Sequence, residues 1–493
     1  MKKLFAIILT LALVLSLCAA LVACGGTTPP NFEVPEEGYD GSSVTITFYS
    51  SMGQDYDKVF QSYIEDFQEL YPNITVVHNR VGGYDDVRNQ VRTELANGQS
   101  PNVSYCYADH VALYNRSNAV VHLDNLISSD ITVTRADGTT EILGLTDEQK
   151  ADFIEGYYEE GAAFGDDHMY MMPFSRSTEL MYFNKDFFTA NNLQLPDHWF
   201  ASDGKQGLET TDTTSMEYVL AKIKEIDPNC TPLGYDSESN WFITLCEQFG
   251  TPYTSATGDH YLFNNEQNRE MVNTLRRWYQ NRWITTSDMI NGSYCSTYFV
   301  SNSSADGKKC YICIGSSAGA SNQRPTANAD GTFPFDVGIT TIPQAKAGAT
   351  TAESKVISQG PSVCIYKKDN PQEVVASWLL VKFLTTNANF QAEFAYVGGY
   401  TPVIKSAREV DWYKEILDHG NGGTNIAGLA AKTCMDQADA YFASPVFYGS
   451  STARDQVGQL LTTCFLIQND NANIEKAIED AFKLAVSECK YAG

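Results

Sequence analysis

The chain has 493 residues, 43% of them hydrophobic and 19% charged, with 60 Asp plus Glu against 34 Lys plus Arg. That is too long for one small core and too apolar for a disordered chain, so two or three packed lobes are expected. The formal charge of -26 sets aside nucleic acid and other polyanions as bulk partners, because such surfaces reward a surplus of Lys and Arg.

Lys2 and Lys3, followed by the apolar run Leu4 to Ala23, read as the charged and hydrophobic regions of an export signal. The run could just span a bilayer as a permanent anchor, but its end decides against that. Leu21-Val22-Ala23-Cys24-Gly25 looks like a bacterial lipobox, with small residues before a Cys whose thiol carries the lipid. The expectation is a lipoprotein signal peptide over 1–23 and a palmitate-type anchor at Cys24, which holds the protein on the extracellular face of the bacterial cell membrane. Gly25 to Ser43 is rich in Gly, Pro, Ser and Thr, so residues 24–43 are expected to be the lipidated Cys and a flexible tether. Of the 12 Cys, ten then remain, most in apolar strings such as those around Cys106 and Cys364, where Cys acts as a small hydrophobe. Export permits disulfides without assigning a pair. Cys310-x-x-Cys313 has metal-like or redox-like spacing, but it lies in a strand-like run without a second pair or a nearby His.

Val44 to Tyr49 alternates and is β-branched, which predicts a strand. Tyr56, Val59, Phe60, Tyr63, Ile64, Phe67 and Tyr71 recur at helical spacing up to Pro72. Ile74 to Val77 is the next strand, Tyr84, Val87, Val91 and Leu95 stripe a second helix, and Val103 to Tyr107 is a third strand. This alternation is that of a parallel sheet with crossover helices, whose ligands lie beyond the carboxyl ends of the strands. Further on, Met181 to Phe183, Cys310 to Ile314, Val337 to Ile342 and Val363 to Tyr366 read as strands. Met216 to Ile226, Pro371 to Leu384 and Ile474 to Cys489 read as helices, and a long helix opens at Phe263-Asn264, where Asn264 and Gln267 have capping-box spacing. The fold class is α/β throughout, in two lobes.

Five stretches match, in order and spacing, the pattern of the family 1 extracellular solute-binding proteins: Phe67 to Val76, Leu95 to Val103, Met172 to Asp186, Phe335 to Pro343 and Gly398 to Ser406. The chain resembles that family over nearly all of its mature length, with Asn102 where the family more usually has Asp. The resemblance implies a clamp of the periplasmic-binding-protein type (type II), with sequence-discontinuous lobes: 44–176 plus 356–402, and 177–355 plus 403–493. Hinge crossings are expected near Ser175 to Leu180, Val356 to Gly360 and Tyr400 to Val403. It also implies a receptor and not an enzyme, needing no cofactor, monomeric, that captures a small-molecule solute by hinge closure and delivers it to ABC permease subunits.

Within the family, several positions resemble the branch that binds glycerol 3-phosphate and glycerophosphodiesters. Tyr84 stands in a Gly-Gly-Tyr-Asp-Asp string, Ser177 in Pro-Phe-Ser-Arg-Ser-Thr, where Arg176 replaces a small residue, and Ser316 and Ser317 follow a strand. Gly360 follows Gln359 where that branch has Gly-Gly, Tyr400 lies in Gly-Tyr-Thr-Pro, and Arg454 lies downstream of a Ser-rich turn. Trp241 is matched to the branch's stacking tryptophan, and Asp109 to its carboxylate after the third strand, one residue out of register. An Arg fork with Ser hydroxyls would hold a phosphate inside an acidic protein. The competing ligand is a sugar, which needs aromatic rings and amide or carboxylate side chains; Tyr49, Tyr105, Tyr107, Trp241, Phe447 and Tyr448 are the candidates to line such a cleft. A carbohydrate or related polyol is placed first and a glycerophosphoryl compound second.

Three other patterns in the chain bear on function. Gly315-Ser316-Ser317-Ala318-Gly319 has the form of a hydrolase nucleophile elbow, but a loop-like stretch with Pro325 follows it and His419 is the only later His. His78, His110, His122, His168, His198, His260 and His419 show no i, i+4 pairing, and Asp85-Asp86 and Asp166-Asp167 lack a calcium-loop pattern, so no metal site is expected. A receptor reporting to a membrane sensor would use the same clamp.

Overall fold

The computed structural model describes residues 29–301, 306–419 and 425–492. Strand Val44–Ser50 pairs in parallel with Ile74–Arg80, Val44 opposite Ile74, and with Val103–Cys106 on its other side. Ser362–Ile365 and then Met172–Pro173 extend this first sheet antiparallel, giving the order 74–80, 44–50, 103–106, 362–365, 172–173. Helix Gln54–Leu70 buries Val59, Phe60, Ile64 and Phe67, the stripe expected from the sequence. Helix Pro371–Thr386 starts at an Asn370 cap with Pro at its first turn and is buried on nearly all sides, as a helix packed between layers must be.

The second sheet runs 441–442, 356–359, 177–184, 312–316, 233–235, 284–286, and strand 337–340 also pairs with 177–184. Every residue of Ser177–Asn184 is buried, as expected of a strand covered on both faces. Its core carries Trp199, Trp241, Trp278 and Phe242, under helices that include Glu238–Phe249, Glu266–Gln280 and Ser450–Phe465. The long helix begins one residue later than its capping-box spacing suggests: Asn265 is the cap, accepting from Asn268 N, while Asn264 accepts from Arg269.

The two lobes are joined by three crossings, of which the first two touch each other. The chain leaves the first sheet at Pro173 and enters the second at Ser177. It returns at Gly360-Pro361, because Val356–Gln359 still pairs in the second sheet with Ser177, Thr178 and Tyr441-Phe442; the crossing thus falls at the end of the expected window, and 356–359 move to the second lobe. Beside the first crossing Thr401 exchanges backbone hydrogen bonds with Arg176 (3.0 and 2.6 Å), but the chain does not leave the first lobe there, so the third crossing lies beyond the expected 400–403 window. The lobe boundary expected after 402 also shifts, since Val403, Ile404, Ala407, Tyr413 and Leu417 remain in the first lobe's core. Arg176 is the pin of this hinge: its buried guanidinium donates to Glu160, to Gly360 O (3.3 Å) and to Ser362 Oγ (3.4 Å).

The expected tether is shorter than its composition suggested. Asn31 donates to Val120 O (2.9 Å) and accepts from His122 N (2.8 Å), and Phe32 O accepts from Asn125. Phe32, Val34 and Tyr39 pack against the first lobe's core, so three apolar side chains dock the second half of a segment otherwise rich in Gly and Pro. The signal region 1–23 and Cys24 lie outside the described residues. Ten Cys are buried free thiols, Cys310 and Cys313 among them.

Candidate functional site

The lobes enclose a cleft of about 540 Å³ at the carboxyl ends of their strands. One wall is aromatic. Tyr84 opens helix Tyr84–Ala96 after Gly82, whose φ of +49° and close approach to the Asp86 carboxylate leave no room for a side chain; Asp86 in turn caps Gly83 N (2.8 Å). The Tyr84 ring stacks on Tyr107 (4.7 Å between centroids) and lies parallel to Tyr105 (6.2 Å). Its hydroxyl meets that of Tyr400 at 3.0 Å, and Tyr400 packs on Tyr56 and Phe394.

The facing wall is polar. Glu179, Asp236, Ser237, Asn240, Ser316 and Arg454 line it. Burial pushes the Glu179 carboxyl up to about 7, opposed by hydrogen bonds from Tyr235 and Asn240. Burial likewise raises Asp236 to about 6, opposed by the Cys295 N–H it accepts. Arg454 donates to Asn240 Oδ1 (3.0 Å), whose amide nitrogen reaches Gln359 at 2.7 Å; among the described residues no salt bridge joins Arg454 to a carboxylate. Asp455 is engaged elsewhere: Arg88, from the opposite lobe, pairs with it at 3.1 Å and donates to Ser451 at 2.8 Å. Tyr105 Oη and Gln323 Oε1 belong to residues that line the cleft, but both atoms are buried behind its surface without a hydrogen-bond partner among the described residues.

The residues expected from the sequence fall into three groups. Tyr84, Ser177, Ser316, Tyr400 and Arg454 line the cleft together. Asp109 and Gly360 lie beside it, on a side pocket of about 60 Å³ shared with Tyr107, Gln359 and Arg454; Asp109 accepts the N–H of His110 (2.9 Å). Trp241 and Ser317 do not reach the surface of the cleft. Trp241 is fully buried, stacked at 4.5 Å on Tyr235, and so supports the residue that holds Glu179. Ser317 is also fully buried, and its Oγ accepts from Thr178 N (3.3 Å). Of the aromatics considered for a sugar, Tyr105 and Tyr107 line the cleft, whereas Tyr49 bonds Glu94, Phe447 stacks on His260 and Tyr448 meets Arg116 at 2.6 Å. Sequence reasoning missed Glu179, Asp236 and Asn240. The signal available for Glu179 was a lone acid two residues before the apolar string Met181 to Phe183.

Two α/β lobes on three crossings, closed around a cleft with one aromatic and one polar wall, define a hinged binding protein. The bacterial extracellular solute-binding protein model matches residues 62–417, well over half of the chain, and the protein belongs to that family, whose members act outside the cytoplasm. The sn-glycerol-3-phosphate-binding periplasmic protein UgpB of Escherichia coli O1:K1 / APEC is 24% identical over 395 residues, covering 78% of this chain and 79% of that protein. Among solved structures, UgpB from Mycobacterium tuberculosis in complex with glycerophosphocholine aligns with a TM-score of 0.64 at 17% identity, over 91% of this chain and 99% of that one. Maltose-bound MalE3 of T. maritima aligns equally well, with a TM-score of 0.64 at 15% identity over 91% and 100%. At these identities the structural likeness is one of fold, shared by proteins with different ligands.

Proposed function

We propose that the protein captures a carbohydrate or related polyol outside the cell by hinge closure and hands it to an ABC permease. The observation that carries this reading is the pairing of stacked tyrosines, Tyr84, Tyr105 and Tyr107, with Glu179, Asp236 and Asn240 on the facing wall. Pyranose CH faces stack on rings while hydroxyls bond to carboxyl and amide groups. Carboxyls raised by burial to about 7 and about 6 can donate as well as accept near neutral pH, which suits hydroxyls. Four acids, Glu179, Asp236, Asp85 and Asp455, line this cleft, a setting that favours a neutral ligand over a dianion.

A glycerophosphoryl ligand is the second reading, favoured by Arg454, which lines the cleft and donates to the Asn240 amide oxygen with no carboxylate paired to it among the described residues, and by the UgpB relatives. A thermal-shift and calorimetric panel of maltodextrins, plant-glycan oligosaccharides, glycerol 3-phosphate and glycerophosphocholine separates the two. A sugar that raises Tm and still binds Arg454→Ala supports the first. Shifts from phosphorylated solutes alone, lost in Arg454→Ala, replace it with the second, and no shift from either group sinks both. Lipid attachment at Cys24 belongs to the same proposal: Cys24→Ser should move the protein from the membrane fraction to the medium. Deleting the permease genes should abolish uptake; unchanged uptake would support a sensing role.

A further inference from the structure

Outside the cleft, His122, Asp124 and His168 bring three metal-ligating side chains together, with one donor atom from each within 4.8 Å of the others. His168 Nδ1 stands 3.3 Å from Asp124 Oδ2, and the two imidazole rings lie 4.1 Å apart between centroids. We propose that these three residues form a binding site for a divalent transition-metal ion, zinc being the first choice, with water in the remaining position.

Four observations support the assignment. Ligands at about 2.0–2.1 Å around a tetrahedral ion are about 3.3 Å from one another, so the His168–Asp124 pair already has the spacing of one tetrahedral edge. Two imidazoles and one carboxylate form a donor set for zinc and its neighbours in the first transition row, not for calcium or magnesium. His122 is 6% exposed, and its Nδ1 has no hydrogen-bond partner, a cost that a metal bond would remove. The Asp124 side chain is 29% exposed, which gives an ion a way in.

His122 lies just ahead of helix Asp124–Ile127, Asp124 opens that helix, and His168 lies 44 residues from Asp124, so the i, i+4 spacing sought in the sequence could not reveal them. Residues 122–125 receive the N-terminal segment through Asn31, His122 N and Asn125. A metal joining 122–124 to 168 would therefore stiffen the surface on which residues 31 and 32 are docked.

The test uses the whole mature protein without a polyhistidine tag, stripped with EDTA and titrated with Zn2+ and with Co2+. One Zn2+ per chain is expected, with a Tm rise of about 3 °C at a hundred-fold excess over Kd. Bound Co2+ should show the intense visible absorption of a low-coordinate site and paramagnetically shifted resonances from two imidazoles. The paired variant His122→Gln/His168→Gln should lose metal while keeping the thermal response to a cleft ligand. Absence of stoichiometric Zn2+ in the wild type overturns the proposal, as does retention of metal in the paired variant. If that variant does not fold, the wild-type Co2+ spectrum decides alone, and fewer than two shifted imidazoles counts against the site.

Discussion

Gly360 tests where the clamp bends. It sits at φ +117°, and a Cβ there would lie 2.5 Å from Ser175 O, 2.7 Å from Arg176 Cα and 2.9 Å from Ser177 N. All three are backbone atoms of the opposing crossing, so no rotamer change relieves the overlap. Gly360→Ala costs about 1–2 kcal/mol for the backbone conformation and about 1–3 kcal/mol for overpacking, together about 3 kcal/mol. At about 2.1 cal/mol/K per residue, a chain of 493 residues loses about 1 °C per kcal/mol, so Tm should fall by up to about 3 °C. The cost divides between two readouts: whatever part the ligand-free protein escapes by parting the two crossings is missing from Tm and must be met again on closure around solute. That part weakens the solute Kd, by up to about 100-fold at 1.4 kcal/mol per decade. Gly258→Ala is the control, since it also has a positive φ (+73°) but nothing within 4 Å of the added carbon; it should cost about 1 kcal/mol and leave Kd unchanged. Thermal unfolding and calorimetry on the same preparations decide. A Gly360→Ala protein indistinguishable from the Gly258→Ala control in both Tm and Kd refutes the hinge assignment.

Three further outcomes follow from the cleft. Burial raises Glu179 from its ordinary 4.5 to about 7, so between those values the folded protein holds a proton that the unfolded chain has released; ligand-free stability should fall by about 3 kcal/mol as pH rises through that window. Denaturation curves of Glu179→Gln should lack this fall, and a slope equal to wild type counts against the buried carboxyl. Trp241→Phe should lower Tm by about 1–3 °C through lost core packing with less than a threefold change in solute Kd, whereas a tryptophan stacked on the ligand would weaken binding by tenfold or more. Tyr84→Phe removes one hydroxyl pair at 3.0 Å and should cost about 1 kcal/mol; calorimetry giving a Kd change above a hundredfold would mean that the hydroxyl bonds the solute directly.

What could be read from the sequence, and what could not, divides by the range of the interactions involved. The stripe from Val59 to Phe67 and the apolar string Met181 to Phe183 express local patterns, which burial on one face or on both imposes. The cleft residues Tyr84, Ser316 and Tyr400 sit at element ends marked by Gly and Ser, where family strings are also most regular. Trp241 misled because a tryptophan near a strand end fits a stacking platform and a core pillar equally well, and only the neighbouring Tyr235 and Trp199 rings choose between them. Phe32, Val34 and Tyr39 were overlooked because three apolar anchors among Gly and Pro barely alter composition, although they have a core to dock on. Glu179 and Asp236 owe their raised pKa values to burial made by strands and helices distant in sequence, and no local pattern encodes that.

Closure in this protein draws on two sets of terms. Bonds that cross between lobes, Arg88 to Asp455 and Ser451 and Arg116 to Tyr448, favour the closed form whether or not solute is present. Because Asp455 is partly exposed, with 38% of its side chain accessible, such pairs contribute only about 1 kcal/mol each. The second set needs solute: a ligand lying between Tyr84 and Tyr107 on one wall and Glu179, Asp236 and Asn240 on the other meets both walls only when the lobes are together. A ligand that binds the closed form about 2.7 kcal/mol more tightly than the open one shifts the equilibrium about a hundredfold. Contact with both walls, added to the weak cross-lobe pairs, is thus what makes closure depend on solute.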